Sequence, residues 1–97
     1  MAERTSKAIS AENTWTDPVY IEGYFNLSIS GTFSATVTVQ RSYDKGSNWV
    51  DVDSFTAPAE EVGFDPEYCK YRIGCKSGEY SSGTVNIRIG HEDHEMH

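Results

Sequence analysis

The stretch TFSATVTVQR, residues 32–41, restricts the fold more than any other part of the chain. Phe33, Ala35, Val37 and Val39 alternate with Ser34, Thr36, Thr38 and Gln40. A period of two is what a strand needs to bury one face of a sheet. Residues 24–30 repeat it and direct Phe25, Leu27 and Ile29 inward, and Ser30-Gly31-Thr32 between the two runs has the length of a hairpin turn. Nearer the C-terminus, Cys69, Tyr71, Ile73 and Cys75 share one strand face and Val85, Ile87 and Ile89 share another. The loop SGEYSSG joins them as a second predicted hairpin. WVDVDSF has mixed parity, with Val50 and Val52 on one side and Trp49 and Phe55 on the other. Either both of its faces are covered or a bulge shifts the phase. Shorter runs at 5–9, 19–22 and 60–64 complete the set, and no capped stretch with a 3.6-residue stripe suggests a helix. About seven or eight short strands separated by turn residues predict an all-β fold, a small antiparallel β-sandwich of Ig-like or jelly-roll type.

The 97 residues suffice for one domain. The reading divides them into an N-terminal arm with the first short strands (1–22), the sandwich core (23–90) and a polar tail rich in His and acidic residues (91–97). A net charge of −7 opposes a phosphate backbone, which argues against direct nucleic-acid binding. No apolar run approaches the ~20 residues of a membrane span, and MAERTSKAIS lacks the apolar stretch of a signal peptide. The expectation is a protein made in the cytoplasm. Cys69 and Cys75 lie six residues apart on one predicted strand. That places their Cα atoms about 20 Å apart, beyond disulfide reach, so both are expected as free thiols.

Between the two hairpins lies Ser42-x-Asp44-x-Gly46-x-Asn48-Trp49. The spacing resembles the Asp-box of sialidases and related propeller proteins, with Asn at the usual Thr position. A propeller blade takes about 40 residues and several blades are needed. With one copy of the box in this length, a sialidase is excluded. The expected role is structural: Asp44 accepts hydrogen bonds from turn amides, Gly46 supplies a backbone angle other residues resist, and Trp49 packs beneath the turn. Ser42-x-x-Lys45 has the spacing of some acyl-transfer enzymes but sits at a hairpin tip, without the helix start and pocket such a serine needs. His91, His94 and His97 recur every three residues among acids and are a conceivable zinc or nickel set, yet a terminal tail lacks supporting partners. Asp51, Asp53, Glu60, Glu61 and Asp65 lack the dense spacing of a calcium loop and read as solvated carboxylates. Asn26-Leu27-Ser28 matches a glycosylation sequon but falls inside a predicted strand. No catalytic residue, metal or cofactor is assigned, and the chain is expected not to be an enzyme.

If the second hairpin forms, its outward face carries Lys70, Arg72, Lys76 and Arg88, half of the eight basic residues. Such a face suits docking of an acidic partner. Six tyrosines and two tryptophans also exceed the needs of so small a core, and Tyr20, Tyr24, Tyr43, Tyr68 and Tyr80 fall at outward or loop positions. Exposed tyrosine serves protein interfaces and sugar-stacking sites alike. GTFSATVTVQRSYDKGSNWVDV followed by YRIGCKSGEYSSGTVNIRI, within residues 31–89, resembles small β-sandwich structural proteins of tailed-bacteriophage virions. That resemblance implies a non-enzymatic virion component, a capsid decoration or stabilising protein bound in many symmetric copies to the major capsid protein. Lys70, Arg72, Lys76 and Arg88, with Arg4 and Lys7 of an arm lying across a neighbouring subunit, are the expected contacts. The alternatives are a carbohydrate-binding or host-adhesion module on the virion, and a head–tail or tail-associated protein.

Overall fold

The computed structural model describes residues 3–91 and shows an all-β chain of nine strands among them. These are β1 (Glu3–Ile9), β2 (Thr14–Trp15), β3 (Val19–Ser30), β4 (Phe33–Ala35), β5 (Val37–Ser42), β6 (Val50–Phe55), β7 (Ala59–Cys75), β8 (Tyr80–Gly83) and β9 (Val85–His91). Seven belong to one antiparallel sheet in the order β1-β9-β3-β7-β5-β6, with β2 also on β7, and β4 pairs with β8 in a separate ribbon.

Two long strands turn this sheet into a sandwich. The first half of β7 pairs with β3 from Ala59↔Ile29 to Asp65↔Gly23, and its second half pairs with β5 from Lys70↔Ser42 to Gly74↔Thr38. Between Cys69↔Ile21 and Asp65↔Gly23 the register slips, leaving two extra residues on β7. A bulge of this kind bends both strands and raises the local twist. The sheet thereby curls so that one layer (β1, β9 and the adjoining halves of β3 and β7) faces the other (β2, β5, β6 and the rest of β7). Buried side chains from both layers, including Ile29, Val39, Ile73, Val85 and Ile89, form one cluster. The smallest dimension, 17 Å, is what two layers about 10 Å apart give once their backbones are twisted.

The inward residues match the alternation: Phe25, Leu27, Ile29, Val37, Val39, Cys69, Tyr71, Ile73, Cys75, Val85, Ile87 and Ile89 are all buried. The bulge anticipated in WVDVDSF is present, since Val39 faces Asp53 and Gln40 faces Asp51, leaving Val52 as the extra residue. Both thiols are free and buried.

Neither predicted hairpin forms. The strand at residues 24–30 pairs with β7 and β9, and residues 33–35 leave the sheet to join β8. Likewise β7 and β9 do not pair; β9 lies between β1 and β3. The cause is a crossing at Gly31 and Gly83, with φ of 107° and 91°. The Thr84 amide donates to the Thr32 carbonyl at 3.0 Å there. A Cβ on Gly31 would stand 2.4 Å from the Thr84 carbonyl oxygen, and one on Gly83 would stand 2.3 Å from that of Thr32. Only glycine lets the two chains pass so closely, and the passage turns each segment out of the main sheet. The N-terminal segment is corrected too: residues 3–9 pair along their whole length with β9 of the same chain and do not form a free arm.

Candidate functional site

The outer face of β7 carries a graded ridge. Val62 and Phe64 point outward from its first half, Tyr68 stands on the bulge, Lys70 and Arg72 follow on the second half, and Lys76 comes just after the strand ends. On β3, Tyr24 lies opposite Phe64 and Tyr20 opposite Lys70. The Tyr24 and Phe64 rings meet with centroids 4.8 Å apart, and Tyr20 and Tyr68 stack nearly parallel at 4.8 Å. Val62, at 78 % exposure, and Tyr24, at 73 %, lie side by side with Phe64 as an apolar patch in water. Sequence periodicity missed Val62 and Phe64 as surface residues of interest, although their even numbers put them opposite in phase to Cys69 and Tyr71.

The cationic half is more constrained than expected. The Arg72 guanidinium is sandwiched between two indoles, 4.2 Å from the Trp15 centroid and 4.4 Å from that of Trp49, and its Nε donates to Gln40 Oε1 at 2.8 Å. Lys76 pairs with Asp51, and Gln40 donates to the same carboxylate at 2.8 Å. The Lys70 ammonium lies 5.0 Å from the Tyr20 ring centroid. Lys70, Arg72 and Lys76 thus share a face, as predicted. Arg88 does not: it sits on β9, on the other layer, and donates to Asn26 at 2.8 Å. The reason is the missing hairpin. Arg4 and Lys7, one residue out of phase on β1, point to opposite faces of that edge strand.

The box at residues 42–49 supports the ridge. The Asp44 carboxylate accepts from the Ser42 hydroxyl at 2.7 Å, from the Asn48 amide at 2.8 Å and from Asn48 Nδ2 at 2.7 Å. Those bonds, led by the Asn48 side chain and then Ser42, hold its carboxyl down at about 2. Ser42 is buried and its hydroxyl accepts from the Gly46 amide at 2.8 Å, so it serves the turn. Gly46 takes φ 96°, a backbone angle that residues with a Cβ resist, and the Trp49 ring lies beside it. The turn thereby fixes one of the two indoles that clamp Arg72. Gly74 admits the other: β2 crosses so near that a Cβ would lie 2.1 Å from the Thr14 carbonyl oxygen and 2.8 Å from the Trp15 Cα.

Asp65 corrects a further expectation, for it is not solvated. At 1 % exposure it accepts from Arg41 at 3.1 Å, the Tyr71 hydroxyl at 2.8 Å, the Cys69 thiol at 3.1 Å and the Glu67 amide at 3.0 Å. Burial pushes its carboxyl up, but the Glu67 amide, the thiol, the hydroxyl and the Arg41 charge together hold it below its ordinary value. Burial first, and then the bond to Asp65, push the Cys69 thiol up to about 12 and the Tyr71 hydroxyl well above its usual range. A thiol so protonated is a poor nucleophile, and this network pins the β7 bulge. Among the described residues no group of three or more His, Cys, Asp or Glu side chains converges on a metal position. His91 ends β9, whereas His94 and His97 lie outside the described residues. No helix among the described residues is long and apolar enough to cross a membrane.

No protein-family model, curated protein or solved structure matches the chain.

Proposed function

We propose that this chain is a non-enzymatic structural protein of tailed-phage virions, a capsid decoration protein that docks many copies onto the assembled shell through the β7 ridge. The observation that carries the reading is the contiguous exposure of Tyr24, Val62 and Phe64 on an ordered sheet face, continuing through Tyr68 into Lys70 and Arg72. Clustered aromatics beside rigid cations are the composition of a protein-binding surface. The groups whose protonation is displaced most, Asp44, Cys69 and Tyr71, are engaged in a turn and in the bulge network, which suits a scaffold. Binding the assembled shell in preference to its dispersed subunits would stabilise it by mass action. The sugar-binding alternative draws less support, because Arg72 covers one face of each indole and Tyr20 and Tyr68 cover one another.

The test is co-sedimentation with phage particles assembled without the chain. Saturable binding is expected, weakened by V62S/F64S and by K70E/K76E. Copy number then locates it: on the order of hundreds marks the shell, and about a dozen or fewer marks the tail or portal. Occupancy unchanged in both variants removes the ridge from the interface, and failure to bind any virion part ends the virion reading.

A further inference from the structure

The sandwich is open along one side. Residues 59–65 of β7 hydrogen-bond to β3 on one edge, and among the described residues no strand lies on their other edge. Among the described residues, β6 pairs only with β5. Between these two free edges runs a groove of about 130 Å³, floored by the core side chains Phe25, Leu27, Val39 and Tyr71. Gly63 contributes no side chain, and the Phe25 ring packs directly on its backbone, where a Cβ would stand 2.6 Å from Phe25 Cζ. Val52 and Asp53 stand on the β6 rim, and Glu61 and Val62 on the β7 rim.

We propose that this groove takes an extended segment of a partner protein in which lysine or arginine alternates with apolar residues, added as a strand along the free edge of β7. Unpaired backbone groups on a strand edge recruit another strand, and alternate side chains of an added strand face into and out of the sandwich. Apolar side chains of the segment would cover the floor. Its cations would meet Asp53 and Glu61, two exposed carboxylates on facing rims with no cation between them in the groove lining. The same pair disfavours a second copy of this chain, whose own β6 or β7 edge would bring like charges together. The groove adjoins the β7 ridge and shares Val62 with it, but the proposal does not rest on the virion reading.

Fluorescence anisotropy of a labelled peptide of alternating lysine and valine, titrated with the full chain, tests it. Two control peptides carry glutamate for lysine or serine for valine. Saturable binding of the first peptide alone is expected, weaker at high ionic strength and reduced about tenfold or more by D53K/E61K. D53N/E61Q, which adds no new charge, should fall between and guards against a folding defect. Amides of residues 59–63 should gain exchange protection in the complex. The proposal is overturned if no peptide binds, if the glutamate or serine peptide binds equally well, if both rim variants bind like the parent, or if protection appears elsewhere.

Discussion

Replacing Asp65 with asparagine keeps the shape of the side chain and removes its charge. In the parent, one carboxylate oxygen accepts from Arg41, Tyr71 and Cys69, and the other accepts from the Glu67 amide. An asparagine must place an NH₂ group at one of these two positions. Facing Glu67, it meets a backbone donor; facing Arg41, it meets a guanidinium that cannot accept. The Tyr71 hydroxyl can rotate to accept, but one of the other donors is orphaned in either orientation. Breaking a buried charge pair costs roughly 3–5 kcal/mol. Arg41 retains 29 % exposure and recovers part of its hydration, so the expected loss is about 2–3 kcal/mol. At about 4–8 °C per kcal/mol for a domain of this size, Tm falls by about 8–24 °C. Tyr71→Phe, which removes one bond and leaves the ion pair, should cost about 1 kcal/mol. Urea unfolding and thermal melts at neutral pH measure both. Because the folded carboxyl lies below its ordinary value of 3.8, its stabilisation is complete above that pH and is lost as the pH falls through the folded value. The gap between parent and D65N should therefore narrow in acid. A D65N protein within about 0.5 kcal/mol of the parent, or a gap that stays constant on acidification, would refute the claim that this network holds the bulge.

Gly74→Ala should cost about 1–3 kcal/mol by overpacking, because the atoms its Cβ meets are backbone of β2; a shift in tryptophan emission as Trp15 leaves Arg72 checks it. Asp44→Ala should speed exchange of the Asn48 amide at neutral pH. In the parent that protection should persist below the ordinary carboxylate range and disappear as the pH approaches about 2, since the Asp44 carboxyl is depressed and its bonds are lost only when it protonates.

Side-chain phase was legible in the sequence because it is local. Each residue of Phe25-x-Leu27-x-Ile29 knows its face from its own neighbours, and the same holds for the odd-numbered residues of β7. Strand partners were not legible, because pairing is decided by segments far apart in sequence. Gly31 and Gly83 look like ordinary turn residues until their segments are placed against each other. Asp65 was within reach: it shares the odd phase of Cys69, Tyr71 and Ile73, and counting inward by twos arrives at it. Its charge argued for the surface, and nothing local announced that Arg41, on a strand with no sequence proximity, would arrive beside it. The Asp44 bonds of the box were legible because each is made within a few residues, whereas the stacking of Trp49 on Arg72 joins segments far apart in sequence.

The four cations expected on one face also clarify what the ridge contributes. Arg72 is bonded to Gln40 and stacked twice, Lys76 is paired with Asp51, and Arg88 lies on the other layer. Their side chains are held in position before any partner arrives, and the Lys76 charge is offset by Asp51, so little ordering entropy is lost when one does. Tyr24, Val62 and Phe64 differ in kind, since they remain wetted and gain on burial about 25 cal/mol for each Å² removed from water. Affinity should therefore reside in the apolar half of the ridge, and orientation and encounter rate in the cationic half. On that division K70E/K76E acts chiefly on association and its salt dependence, whereas V62S/F64S acts on dissociation. The reverse assignment would mean that the exposed aromatics lie outside the contact.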